Sequence, residues 1–357
     1  VISNKKNRHV QAGLLGLSHD FDHTHRQAMA RLTQRLKVNW VYDAVPLRAQ
    51  QLATDMRISA MHSLHQMLSQ PDLDAVLILN RHWFDSLPLE LCLERQKSLL
   101  YLAPFPNDIS LEKLRAWHHL SGNLGMSVIL GLTRRYTPST IRLQELLASR
   151  LGYLREIRIK LPAPQIPSSG DGVFRQEGSG EISTPLIQAI DWCRHLIKRK
   201  LVPLSVIPSV HRLGCGSEPA HMVLRAPAWD TIPEVLISID QSGTELTSQE
   251  TSIASSPKST TSKATSSKSV VDNTPALDPT QWKIEVFCDY GSAEIGSLRR
   301  ISWKFGTEHC MEELLAERSA LELLLDLFCR RLLSALVPLP DLGDLIRARE
   351  VLAHPAP

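Results

Sequence analysis

Residues 74–79, Asp-Ala-Val-Leu-Ile-Leu, form an unbroken apolar run of strand length. Such a strand has no face to spare for water and must be buried on both sides, as strands of parallel sheets are. The pattern returns at Ser98-Leu-Leu-Tyr-Leu102 and Met126-Ser-Val-Ile-Leu130, with helical stretches between. Two earlier strands fit the same series, over Val10 to Gly16 and over Val38 to Asp43, and Pro46 suits the first turn of the helix that follows the second. Alternation of strand and helix requires right-handed crossovers. The first third of the chain is therefore expected to be a Rossmann-like, doubly wound parallel sheet of an α/β fold.

The pattern changes after a helix beginning at Thr137-Pro138, with Thr137 as N-cap. Arg155-Glu-Ile-Arg-Ile-Lys160 alternates charged and apolar residues, as a strand with one wet face does. Similar strands are expected at 222–225, 235–239, 283–287 and 301–305, so the second half reads as an α+β domain with an open, mostly antiparallel sheet. A leucine-rich helix is expected over Met311 to Leu336, acidic early and basic late as the helix dipole favours, and a last helix over Asp344 to Ala353. Between Gln241 and Thr280 the composition falls to Ser, Thr and Lys with few large apolar side chains, which reads as a disordered insert.

The 357 residues suffice for two domains, placed at 1–133 and 134–357, and the net charge of +3 is too small to suggest nucleic acid as a partner. Six cysteines, Cys92, Cys193, Cys215, Cys288, Cys310 and Cys329, stand far apart with no Cys-x-x-Cys pair. That favours reduced thiols and a cytoplasmic setting over disulfides or structural zinc. No apolar run reaches the roughly 20 residues of a membrane span, and the first residues do not read as a signal peptide.

The order of segments resembles the Gfo/Idh/MocA family, NAD(P)-dependent oxidoreductases of sugars and cyclitols. The landmarks are Gly16 after the opening strand, Asp43, Pro71-Asp-Leu-Asp-Ala-Val-Leu-Ile-Leu79, Lys97 to Pro104, Arg135-Tyr-Thr-Pro138, Leu151 to Ile157, Ile190-Asp191 and Leu339 to Ala353. The resemblance implies NAD or NADP as cofactor, contacted by Gly16, Ser18, Asp43, Asn80 and Pro104. It implies a pocket for a small-molecule ligand at Arg135, Gln188 and Asp191, and a homo-oligomer formed through the second sheet.

The positions that carry chemistry in that family have changed. Its second and third fingerprint glycines fall on Ser18 and about Phe21, where a bulky ring replaces close backbone approach, and Asp20 and Asp22 bring negative charge to a phosphate cradle. The Glu-Lys-Pro motif reads Leu102-Ala103-Pro104, and the family's Asp and His fall on Thr184 and Gln188. Alanine transfers no proton, and glutamine is no base near neutral pH. No catalytic residue is therefore assigned, and the expected role is a catalytically degenerate homologue that binds a ligand or a protein. Asp43 reads equally as a ribose-holding acid and as a cap for the next segment. One alternative is an active dehydrogenase using Gln188, Asp191 or His82. Another is a metal enzyme built on His19-Asp-Phe-Asp-His-Thr-His25, whose bland reading is a polar loop entering a helix; no metal ligand is assigned.

Overall fold

The computed structural model describes residues 9–18, 21–80, 84–106, 109–161, 184–208, 219–230, 232–240 and 282–353. The Ser/Thr-rich insert expected over 241–280 lies outside them, as do Cys215, His19, Asp20 and His82.

The first half runs β1 (Val10–Leu15), α1 (Arg26–Ala30), β2 (Leu36–Tyr42), α2 (Pro46–Met56), β3 (Ser59–Ala60), α3 (Leu64–Leu68), β4 (Ala75–Ile78), α4 (Leu87–Glu94), β5 (Ser98–Tyr101), α5 (Leu111–Asn123) and β6 (Val128–Leu130). These six strands form one parallel sheet in the order β3-β2-β1-β4-β5-β6, the doubly wound arrangement with its crevice where the order reverses beside β1. Alternate residues feed two cores. Val10, Ala12, Leu14, Ala75, Leu77 and Leu100 point to one face with α1 and α2, while Val76, Ile78, Leu99 and Tyr101 point to the other with α3, α4 and α5. Both faces are covered, as the unbroken apolar runs require.

The second half contains α6 (Pro138–Leu146), β7 (Leu154–Lys160), α7 (Thr184–Ile197), β8 (Val202–Pro208), β9 (Pro219–Ala226), β10 (Val235–Asp240), β11 (Lys283–Cys288), β12 (Gly291–Ser297), β13 (Arg300–Phe305), β14 (Glu308–Glu313), α8 (Ala320–Leu332) and α9 (Leu342–Ala353). Its eight strands lie in the order β14-β13-β12-β11-β7-β10-β9-β8, antiparallel except for the β7–β10 pair. The face bearing Ile157, Ile159, Ile237, Ile284, Val286 and Trp303 is buried. Arg158, Lys160, Lys283 and Lys304 stand exposed among the residues between them, so the sheet has the wet side its alternation predicts.

The helix expected from Met311 to Leu336 is in fact strand, loop and helix. Residues 308–313 pair with β13, and Trp303 Nε1 donates to Glu312 at 2.7 Å. The helix starts only after Ser319, whose hydroxyl accepts the Glu322 amide. Leucine content suggested continuity, and a long-range pairing decided otherwise. The strands β8 and β12 were likewise not expected; one is bracketed by prolines and the other opens on three small residues, Gly291, Ser292 and Ala293.

Although late in sequence, α8 belongs to the first core, where Leu324, Leu325 and Phe328 pack with β1, α1 and α2 residues. Two buried acids fasten it. Glu322 pairs with Arg31 at 3.0 Å and Arg318 at 2.8 Å, and Asp326 pairs with Arg35, with Arg330 at 2.9 Å and with Arg318 at 3.3 Å. Burial pushes both carboxyls up, but the arginines outweigh it and hold both below the ordinary carboxylate value. An acid depressed in the fold contributes stability above its unfolded pKa and loses it as pH falls through the folded one. The urea midpoint should therefore fall below about pH 4. Asp326→Asn should flatten that fall; a variant with the wild-type acid profile would show that the clamp is not responsible.

Candidate functional site

The crevice beside β1 is where the fold places a nucleotide, and its backbone is closely tied. Gly16 has φ +67°, and an added Cβ would run into the Asn80 carbonyl oxygen, so glycine is required by the crossing of two strand ends. Asp43 is 6% exposed; its Oδ2 accepts the Leu17 amide at 2.7 Å and its Oδ1 the Val45 amide at 2.8 Å. The Leu17 carbonyl in turn accepts from Arg48 at 3.1 Å and from Asn80 Nδ2 at 3.3 Å. Ser18 lies 3.4 Å from His25 Nδ1, and its carbonyl accepts the Phe21 amide at 3.3 Å. Phe21 opens a π-helical turn over Phe21–His25 and buries its ring in the core, stacked at 6.4 Å on His25. Gly16, Ser18, Asp43 and Asn80 thus lie together at this end of the sheet. Asp43 and Asn80 are, however, bonded to the chain's own backbone.

Further along the same sheet edge lies a recess of about 100 Å³ between the ends of β5 and β6 and helices α7 and α9. Ala103, Pro104, Ile187, Gln188 and Leu345 line it together with residues 101–102, 105 and 130–132. Tyr101 is the one ionisable residue among them, and its hydroxyl donates to the Asp85 carbonyl at 3.2 Å. The structure therefore brings Ala103 and Gln188, the residues at the positions of the family's lysine and histidine, to one recess. Pro104 shares this recess instead of the crevice beside Gly16.

No protein-family profile and no curated protein matches the sequence. Solved structures do match the fold. UDP-N-acetylglucosamine 3-dehydrogenase GnnA from Acidithiobacillus ferrooxidans superposes with a TM-score of 0.67 at 16% identity, covering 97% of this chain and 96% of that one. The super-repressor mutant of Gal80p from Saccharomyces cerevisiae gives 0.68 at 14% identity, over 97% and 95%. KijD10, a 3-ketoreductase from Actinomadura kijaniata in complex with NADP and TDP-benzene, gives 0.69 at 11%, over 96% and 95%. This chain has the Gfo/Idh/MocA fold.

Within the Gfo/Idh/MocA fold, Arg135 and Asp191 meet at the junction of the two sheets. Arg135 Nε donates to Asp191 Oδ2 at 2.8 Å while its NH2 reaches Asp191 Oδ1, a bidentate pair. The same NH2 lies 3.1 Å from Asp344 Oδ2, and Asp344 Oδ1 lies 2.6 Å from Arg347. The Arg135 and Asp191 side chains are only 10% and 3% exposed, so each is largely taken up by the other. Burial pushes the Asp191 carboxyl up against the pull of Arg135, whereas Arg135 and Arg347 overcome burial at Asp344 and hold it low. Nearby His195, 3.1 Å from Gln144, is pushed down to about 4 by burial and by the charges of Arg135 and Lys198, which keeps it neutral near pH 7. Arg134 instead stacks on Trp282, with its guanidinium carbon 3.4 Å from the ring centroid.

Of the His19 to His25 string, the described Asp22 pairs with Arg26 at 3.1 Å. Among the described residues no three His, Cys, Asp or Glu side chains are grouped as a metal site, and no helix is long and apolar enough to cross a membrane. Sequence reasoning missed Asp344, Leu345, Ile187 and Arg48. The first two looked like an ordinary helix start, and only the fold brings α9 against α7.

Proposed function

We propose that this chain keeps the oxidoreductase scaffold without its hydride-transfer chemistry and acts by binding a small molecule in the recess between β5, β6, α7 and α9. One observation carries the reading: at the meeting point of Ala103 and Gln188, no described lining residue other than the engaged Tyr101 can exchange a proton. The crevice points the same way. A dinucleotide is ordinarily held by free amides after the first strand and by a free acid after the second. Here the Leu17 amide and both Asp43 oxygens are bonded to each other or to the Val45 amide. These residues do not fit the usual dinucleotide grip. The fold is compatible with either outcome, since it is shared by a dehydrogenase, by an NADP-bound ketoreductase and by Gal80p, solved as a super-repressor.

The test is calorimetry with NADH and NADPH at millimolar concentration, followed by an absorbance assay with a panel of polyols and keto-sugars. Neither heat of binding nor turnover is expected. Tight cofactor binding, or turnover of roughly one per second, the lower end of ordinary enzymes, would overturn the proposal.

A further inference from the structure

The geometry points to one chemical class of ligand for the recess: a compact apolar ring carrying a single hydrogen-bonding group, and not a polyol. This rests on the non-redox reading of the same site and adds the identity of what it takes.

The polar inventory of the walls decides the class. The amides of Leu102 and Ala103 both donate to the Ile78 carbonyl, that of Gly131 donates to Tyr101 at 2.7 Å, and that of Leu132 to Leu130 at 2.8 Å. Those backbone donors are spent within and between the ends of β4, β5 and β6. The Tyr101 hydroxyl is engaged as well. Gln188 remains, half-buried on α7, with a carboxamide that makes no hydrogen bond among the described residues. Around it stand Leu102, Phe105, Leu130, Leu132, Ile187 and Leu345, and among the described residues no charged side chain lines the recess. A cavity of roughly 150 Å³ lined by such residues holds benzene; this recess, at about 100 Å³, is smaller and has room for at most one ring.

A carboxamide offers one donor group and one acceptor, enough for a single hydroxyl or carbonyl on the ligand. A further hydroxyl buried against leucine and phenylalanine and left unpaired weakens binding roughly tenfold or more. Cyclohexanol and myo-inositol share a ring and differ in hydroxyl number, so they isolate this effect.

Saturation-transfer NMR on the full chain should show cyclohexanol binding in the millimolar range, at least about tenfold tighter than myo-inositol. Gln188→Leu should weaken cyclohexanol several-fold, and Ala103→Leu, which fills the recess, should remove its signal. If Ala103→Leu fails to fold, Gln188→Leu still decides whether the amide is the anchor. Inositol binding as tightly as cyclohexanol, no cyclohexanol signal at all, or a signal indifferent to Gln188→Leu would each overturn the inference. The NAD(P)H assay on the same sample separates the two readings. Inositol binding with turnover removes both, and inositol binding without turnover removes only the ligand class.

Discussion

Arg135→Met should destabilise the fold by about 3–5 kcal/mol, seen as a large drop in the urea midpoint at pH 7 with little change in slope. The cause is what the substitution leaves behind. Asp191 is buried, and without the guanidinium its carboxylate keeps only the competing charge of Asp344 and the more distant Arg194. An isolated buried charge costs far more than the pair contributes. Removing the carboxylate as well, in Arg135→Met with Asp191→Leu, should recover most of the loss, because an apolar pair of similar volume leaves nothing unsatisfied. If the single variant instead kept its midpoint while ligand binding fell, Arg135 would be a ligand-holding group and not a fastening between α7, α9 and the segment after β6.

Asp43→Ala should cost about 2–4 kcal/mol in the absence of any ligand. Its two oxygens accept the Leu17 and Val45 amides, so truncation orphans two donors at the end of the parallel sheet. An acid serving ribose hydroxyls would show a different signature, with an unchanged midpoint and weaker nucleotide affinity. Asp43→Asn separates the two further: it retains one acceptor oxygen and should lose about half as much. Equal midpoints for all three proteins would refute the stapling role.

The parallel sheet was legible in the sequence because a strand buried on both faces has few alternatives to an unbroken apolar run, and residues 75–78 and 98–101 are such strands. The N-cap at Thr137 and the first-turn proline Pro46 were legible for an equally local reason. What failed was decided at long range. Whether 308–313 is helix or strand depends on β13, and nothing within that segment announces its partner. The site divides the same way. Ala103 and Gln188 could be paired through the family pattern, and the structure places them in one recess. For Asp43 the sequence offered a ribose contact or a cap in equal measure, and two hydrogen-bond distances favour the cap. The partnership of Asp344 with Arg135 had no sequence signal, since one lies at a helix start and the other beyond the last strand of a different sheet.

The route of the chain after β14 bears on how this protein comes off the ribosome. Pro340 accepts the amide of Leu130, Asp341 bridges Ile129 at the outer edge of β6, and α8 supplies one of the apolar layers over β1. A nascent first domain can therefore draw its strands together early but must wait for residues 320–353 before that edge and that layer are closed. During the wait, apolar strand and helix surface stays open to other chains, the condition under which long proteins aggregate or recruit chaperones.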